Sequence, residues 1–473
     1  MSLSDAEILR QNRWWSEPGW RESDPHLRAL RGQPQRLPAP VIDRIPLDEP
    51  GIHTLRGPRQ VGKSTALKLL VERATKTRAP KLIAYLALDL LEDQPLAELA
   101  ATLDRTRELA AAPASGPMIL LLDEVTVVDG WQTAIKALWD DGTLREDIVV
   151  CTGSSAVDLH RGAAERLPGR RGAGSDHALF PHSFATFASA FDETIPASPE
   201  LSVETLVTQE GREALQKAQL LGPRLRGALE RYLAFGGLPH AIAEACTGEQ
   251  SPSERTLTVS YDALLREVQR RGASRAAAHA LLERLIRSLG SSLSWTSLAQ
   301  DMAVTQPTAR SYVEFLAASY QLLPVYSWRA DSGTPALGRN KKLYFADPLM
   351  HSVAHAQAPG LPIDTPALIE NAVAIALQRR YEPVQLRMEG FDKPSRLHVW
   401  RTRKSGEIDF VCGASDRLTA VEVKYRTNPD RRTAAGIARA FPRRPAVLVT
   451  VDDLERRDDA DLVPAHLFLW ALG

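Results

Sequence analysis

The chain has 473 residues, and Lys plus Arg equals Asp plus Glu at 58 each, for a formal net charge of zero. Such a balance excludes a uniformly basic coat for nucleic acid, though not local basic patches. The sequence shows no apolar run long enough to span a bilayer and no signal segment, and Cys151, Cys246 and Cys412 lie too far apart for metal spacing, so no membrane role, no disulfide framework and a cytoplasmic location are expected.

A chain of this length holds roughly three domains or more. The reading in chain order is a Trp-rich arm at 1–48, a P-loop core at 49–185, a helical lid at 186–279, a helix-turn-helix unit at 280–340 and a C-terminal α/β domain at 341–473. The arm carries Trp14, Trp15 and Trp20 with little helical periodicity. Tryptophan is too apolar to leave in water without cause. An arm packed on the core is favoured over a partner-binding surface. Pro34, Pro38, Pro40 and Pro46 then mark a linker.

Residues 57–64 read Gly57-Pro58-Arg59-Gln60-Val61-Gly62-Lys63-Ser64, followed by Thr65. An extended run, Gly51 to Arg56, precedes them, and a helical pattern with Ala66, Leu67, Leu69, Leu70 and Val71 apolar follows. Strand, loop and helix in that order aim backbone N–H groups and a helix N-terminus at phosphate oxygens. ATP is the expected ligand. Lys63 suits the β- and γ-phosphates, and the Ser64 hydroxyl suits Mg²⁺.

Short apolar runs at 82–88, 118–122 and 147–151 alternate with helical stretches, which implies a parallel sheet wrapped by helices. The run at 118–122 ends in Asp123-Glu124. Asp123 is placed to organise Mg²⁺ and its water shell, and Glu124 to polarise the attacking water. Cys151 leads into Thr152-Gly153-Ser154-Ser155. Either Thr152 or Ser154 can sense the γ-phosphate, with Ser154 slightly favoured, or the segment is a plain turn. In Leu167-Pro168-Gly169-Arg170-Arg171, Arg170 is the candidate to stabilise transition-state charge, in cis or from a neighbouring subunit, against a role in surface ion pairs.

Ser294 to Met302 reads as a short amphipathic helix, Ala303-Val304-Thr305 as a turn, and 306–316 as a second helix with Thr305 at its N-cap and Pro307 in its first turn. This is a helix-turn-helix pattern. Gln306, Thr308, Arg310 and Ser311 fall on the outer side, where a second helix meets DNA. One arginine and one glutamate (Glu314) on that helix also suit a protein–protein adaptor. Leu322 to Tyr326 is placed to begin a wing.

In the C-terminal part, Gly406-Glu407-Ile408-Asp409-Phe410-Val411 reads as a strand with Glu407 and Asp409 on one face. Ala420-Val421-Glu422-Val423-Lys424 follows, with Glu422 and Lys424 on one face. Upstream, Glu370 sits in a helical stretch. Asp409 and Glu422 can bracket Mg²⁺ or Mn²⁺, with Glu370 contributing, and Lys424 can orient the attacking water. Alternating charge and valine also describes a half-exposed strand.

Two resemblances follow from these residues. The P-loop run from Leu55 to Ser64, the strand ending Leu122-Asp123-Glu124, the Thr152-Gly153-Ser154-Ser155 turn, the Leu167 to Arg170 loop, Phe235-Gly236-Gly237-Leu238-Pro239, and Lys341-Lys342-Leu343-Tyr344-Phe345-Ala346-Asp347 together resemble the prokaryotic AAA+ ATPases of the archaeal-ATPase group. That resemblance implies a nucleotide domain, a helical lid, a winged helix-turn-helix and a nuclease-like C-terminal domain. Glu370, Asp409 and Glu422-Val423-Lys424 resemble the PD-(D/E)xK nuclease core. The expected fold is thus α/β: a P-loop parallel sheet with helical lid, a winged helix-turn-helix, and a restriction-endonuclease-like domain. The expected function is an ATP-hydrolysing oligomer acting on DNA, branched DNA included, with or without cleavage. The alternative is a nucleotide-dependent signalling or defence switch whose winged helix binds a protein partner and whose nuclease-like domain is inert.

Overall fold

In the computed structural model the described residues are 2–35, 37–91, 94–110, 116–153, 176–269, 272–329, 334–335, 341–360, 363–381, 397–401, 407–413, 418–427, 436–437, 439, 441, 444–457 and 460–473. The chain divides into two compact units, Met1–Phe180 and Pro181–Gly473.

The first unit is built on strands β1 (Gly51–Arg56), β2 (Ile83–Ala87), β3 (Ile119–Asp123), β4 (Ile148–Thr152) and β5 (Asp176–Ala178). They form one parallel sheet in the order β2-β3-β4-β1-β5. The strands expected at 82–88, 118–122 and 147–151 lie within a residue of these limits. Near-continuous apolar runs such as Ile119 to Leu122 are what a parallel sheet covered on both faces requires. Alternation sorts the side chains onto the two faces. Ala84, Leu86, Leu120, Leu122, Val149 and Cys151 join one core with the helices Leu96–Ala110 and Trp131–Asp140. Ile83, Tyr85, Ile119, Leu121, Ile148 and Val150 join the other, with the helix Lys63–Ala74 and with Trp14, Trp20 and Leu27.

The arm is more ordered than its periodicity suggests. Ser4 and Glu7 form a capping box at the start of a helix, Asp5–Gln11, and Asp24 caps a second, Pro25–Arg31. These helices are only about two turns long, too short for an apolar stripe to repeat, and their caps are the readable signal. The arm packs against the edge of the sheet. The Asn12 side-chain amide receives the Tyr85 N–H at 2.7 Å and donates to the Tyr85 carbonyl at 3.0 Å. Gln11 Oε1 accepts the Ala87 N–H at 2.7 Å. The indole N–H groups of Trp14 and Trp15 both donate to the Ile83 carbonyl at 2.8 Å. Residues 83, 85 and 87 are the alternate positions whose backbone faces away from β3, so side chains of the arm supply the pairing that a neighbouring strand would.

The second unit starts with helices, among them Phe184–Phe191, Gly222–Phe235, Pro239–Ala245, Glu254–Gln269 and Arg275–Arg287. Next come β6 (Ser292–Leu293), the helices Trp295–Asp301 and Gln306–Ala318, β7 (Leu322–Tyr326), a short hairpin of β8 (Trp328–Arg329) and β9 (Thr334–Pro335), and β10 (Lys341–Phe345). Strands β6, β10 and β7 form an antiparallel sheet with β10 in the centre. β10, which begins at the boundary expected at 340/341, is the buried middle strand of this small sheet.

The rest is the helix Thr365–Tyr381, six strands and a terminal helix, Ala465–Leu472. The strands are β11 (Leu397–Arg401), β12 (Glu407–Cys412), β13 (Thr419–Val423), β14 (Ala446–Thr450), β15 (Glu455–Arg457) and β16 (Ala460–Pro464), in a mixed sheet ordered β11-β12-β13-β14-β16-β15. Helices of the 186–279 stretch pack on this C-terminal part within the second unit. Leu201 N–H donates to the Ala471 carbonyl at 2.7 Å, Trp470 Nε1 to the Pro196 carbonyl at 3.1 Å, and Tyr381 OH to Glu204 Oε2 at 2.6 Å. No described helix is long and apolar enough to cross a membrane.

Candidate functional site

The P-loop joins β1 to the helix Lys63–Ala74. Two of its glycines are dictated by geometry. A Cβ on Gly57 would lie 2.2 Å from the Leu179 carbonyl oxygen, and Gly62 caps the helix at φ 99°, a left-handed conformation that favours glycine. Gln60 in the same loop also has positive φ, 65°. Pro58 and Val61 are buried, Arg59, Ser64 and Thr65 half-buried, and Gln60 exposed. The first four N–H groups of a helix lack intrahelical acceptors, so the start of Lys63–Ala74 presents donors together with the positive end of its dipole. The Lys63 ammonium lies over the loop and donates to the Gly57 and Pro58 carbonyls, each at 3.0 Å. A cradle that only glycine fits, the N–H donors of a helix start and a buried lysine suit a triphosphate.

Asp123 ends β3 and is buried. Its carboxylate is held from both sides. Thr152 Oγ1, from the tip of β4, donates to Oδ1, and Tyr85 OH, from β2, donates to Oδ2 at 2.8 Å. Both donors are neutral hydroxyls, so the carboxylate is aimed while its charge remains for a cation. Burial and the Asp123 charge push the Tyr85 phenol far above its ordinary range, which keeps it a donor. The Lys68 ammonium sits 3.5 Å from the centroid of the Tyr85 ring and 3.5 Å from Asp24 Oδ2. Burial brings it down to about 8, against the pull of Asp24. Next to Asp123, Glu124 adopts φ 53° and ψ 38°, and its N–H donates to Thr152 Oγ1 at 3.1 Å. A left-handed glutamate is uncommon and costs conformational energy. Ser154 and Arg170 lie outside the described residues.

In the small sheet unit, Thr305 Oγ1 accepts the Thr308 N–H at 3.3 Å and so caps the second helix. Gln306, Arg310 and Ser311 are exposed and Thr308 is half-buried. The Arg310 guanidinium is engaged by Glu314 one turn on, at 2.6 Å. The Gly-Gly run and the Asp347 segment, read separately in the sequence, meet in space. Asp347 Oδ2 accepts the Gly237 N–H at 2.8 Å, and Oδ1 accepts the Leu349 N–H at 2.9 Å. A Cβ on Gly236, at φ 70°, would lie 1.8 Å from Asp347 Oδ1. Burial pushes Asp347 up to about 6, despite these N–H donors.

The structure brings Glu370, Asp409, Glu422 and Lys424 together in one cluster. It adds Glu407 and Lys342, to which sequence reasoning gave no site role. The Lys342 ammonium, on β10, lies 2.9 Å from Glu370 Oε1, 2.9 Å from Glu407 Oε1 and 2.8 Å from Asp409 Oδ1. Tyr344 OH donates to Glu370 Oε1 at 2.6 Å. Asp409 Oδ2 accepts the Val423 N–H at 2.9 Å. Glu422 Oε2 accepts the Asp409 N–H at 3.0 Å, and its Oε1 pairs with Lys424 at 2.6 Å. Burial first, and the Asp409 charge second, push Glu370 and Glu422 above the usual carboxylate range. Burial opposes the Lys342 charge, but Asp409 and Glu370 outweigh it and hold the ammonium well above its ordinary value. These residues do not suit a divalent ion as they stand, because one oxygen of Asp409 and one of Glu422 are already paired with an ammonium, Lys342 and Lys424 respectively. Among the described residues no group of three or more His, Cys, Asp or Glu is arranged to hold a metal. The one sequence hint was a charged Lys341-Lys342 pair inside an otherwise apolar strand.

The five-stranded parallel sheet, its glycine-rich loop and the Asp123-Glu124 strand end define a P-loop ATPase fold. Residues 49–188 match the family model described as "AAA domain". This stretch, most of it within the first unit, is thus similar to an AAA domain. Residues 226–358 and 366–468 match models described as "Domain of unknown function (DUF8612)" and "Domain of unknown function (DUF4143)". No curated protein matches. Among solved structures, the chain is similar to the ORC2 protein of Aeropyrum pernix at 12% identity, covering 66% of this chain and 89% of that one with a TM-score of 0.33. It is similar to Aeropyrum pernix ORC1 in complex with DNA at 15% identity, covering 74% and 97%, with a TM-score of 0.31. A point mutant of Thermotoga maritima RuvB matches at 13% identity over 68% and 89%, with a TM-score of 0.26.

Proposed function

We propose that the chain hydrolyses ATP in the first unit and uses the cycle to act on DNA through the second. The observation that carries the ATPase half is the constellation of Lys63 in a glycine-only cradle with Asp123 aimed by Tyr85 and Thr152. Lys63 and the loop N–H groups supply positive charge to the phosphates. Ser64 and Asp123 hold Mg²⁺, which when bound neutralises phosphate charge. Glu124 orients and polarises the attacking water, and Ser154 and Arg170 complete the site, Arg170 in cis or from a second copy in an oligomer.

The DNA half rests on the small unit. Two helices joined by a tight turn, followed by an antiparallel sheet, have the order of a winged helix-turn-helix, with Gln306, Thr308, Arg310 and Ser311 on the reading helix. The Arg310–Glu314 pair favours a second reading, in which this helix binds a protein and the nucleotide acts as a switch. An ATPase assay with linear, nicked and branched DNA separates the two. Stimulation by DNA that is lost in Arg310→Ala supports the DNA reading, and an ATPase rate indifferent to DNA supports the switch. An absence of nucleotide binding on calorimetry would overturn both.

A further inference from the structure

We infer that the ammonium of Lys342 is the resident cation of the C-terminal carboxylate cluster, so that this cluster takes no divalent metal and does not cleave nucleic acid. The argument is geometric and does not depend on the ATPase reading. A divalent ion bridging Glu370, Glu407 and Asp409 must sit about 2.0–2.6 Å from their oxygens. The point equidistant from those three carboxylates is filled by Lys342 Nζ, at 2.8–2.9 Å from each. Lys342 is 2% exposed, and it cannot withdraw without leaving its charge buried and unpaired.

The alternative position, between Asp409 and Glu422, already carries two ammonium groups, Lys342 on Asp409 Oδ1 and Lys424 on Glu422 Oε1. Asp409 Oδ2 and Glu422 Oε2 each accept a backbone N–H, and Glu422 Oε1 pairs with Lys424. Arg401 lies 2.9 Å from Glu407 Oε2, adding a third cation to the cluster. An incoming ion would meet three positive groups, of which Lys342 is buried and can only leave by breaking its three ion pairs. The same contacts give the cluster a mechanical role. Lys342 belongs to the small antiparallel sheet, Glu370 to the helix Thr365–Tyr381, and Glu407 and Asp409 to β12. One ammonium therefore ties three elements together, as a metal would in a cleaving site.

The test is Mn²⁺ binding to the full-length, nucleotide-free protein by electron paramagnetic resonance, with a parallel Asp123→Asn series to remove any ion held at the P-loop. Wild type is expected to bind no Mn²⁺ that depends on Asp409. Lys342→Met is expected to melt about 10 °C lower, to gain one equivalent of Mn²⁺, to recover melting temperature as Mn²⁺ is added, and to lose both gains in Lys342→Met/Asp409→Asn. Mn²⁺ binding by wild type that Asp409→Asn abolishes would overturn the inference. So would a folded Lys342→Met that binds no ion, or DNA cleavage by wild type that Asp409→Asn removes. Should Lys342→Met not fold, the comparison of wild type with Asp409→Asn decides the matter alone.

Discussion

The Tyr85 hydroxyl donates a 2.8 Å hydrogen bond to Oδ2 of Asp123, reaching across from the edge strand of the sheet to its neighbour. Thr152 holds the other oxygen, so Asp123 is fixed by a clamp rather than by its backbone alone. Hydrogen bonds to charged groups contribute about 1.5–3 kcal/mol. Tyr85→Phe keeps the ring against Lys68 and removes only the hydroxyl. Steady-state ATPase kinetics should show kcat about tenfold lower with KM for ATP little changed. A KM effect without a kcat effect would assign Tyr85 to nucleotide binding instead.

Lys63 and Glu124 should separate binding from turnover. Lys63→Ala is expected to weaken ATP binding about 100-fold or more, measured by calorimetry. Glu124→Gln is expected to bind ATP normally and to lower kcat about 100-fold or more. Normal hydrolysis by Glu124→Gln would remove the residue from its proposed role, and its left-handed backbone would need another explanation.

Two glycines should be intolerant of a single methyl group. Gly57→Ala would push Cβ to 2.2 Å from the Leu179 carbonyl, and Gly236→Ala would push it to 1.8 Å from Asp347. Each should lose at least about 2 kcal/mol of stability. Gly57→Ala should also impair nucleotide binding. Gly236→Ala should leave it intact if the first unit folds on its own terms. Thermal melts with and without ATP read both effects.

Asp347 should give the second unit a pH-dependent stability. Burial raises its folded pKa from 3.8 to about 6, so the folded state holds its proton more tightly than the unfolded state does. The stabilisation that proton gives is fully present below pH 3.8 and is lost as pH rises through about 6. A shift of that size corresponds to at most about 3 kcal/mol. Asp347→Asn cannot ionise. Its stability relative to wild type should therefore improve between about pH 4 and about pH 7, as read by denaturant melts. A constant difference across that range would show that Asp347 titrates normally.

What the sequence revealed follows the range of each interaction. The P-loop, the strand ending in Asp123-Glu124 and the helix-turn-helix are local patterns, and their strands fall within a residue of expectation. Two residues that matter most to the sites were not legible. Tyr85 is one aromatic in an aliphatic strand, and only the sheet order places its hydroxyl on Asp123. Lys342 meets Glu370 and Asp409 across 28 and 67 residues of chain, a relation no periodicity encodes. The carboxylates alone suggest a metal site, because Lys342 lies in a strand segment, Lys341 to Asp347, that carries no acidic motif of its own to tie it to them. The Gly236-Gly237 and Asp347 motifs were each read, but their meeting was not.

The arm along β2 bears on how small a working ATPase fragment can be. The matched AAA domain begins at residue 49, yet Gln11, Asn12, Trp14 and Trp15 satisfy the outward backbone of Ile83, Tyr85 and Ala87. A fragment cut at that apparent boundary would leave a bare β-edge open to pairing with its own kind. It would also strip the support beneath the strand that carries Tyr85. Clumping and slow turnover would then arrive together, from a truncation that removes no residue of the nucleotide pocket.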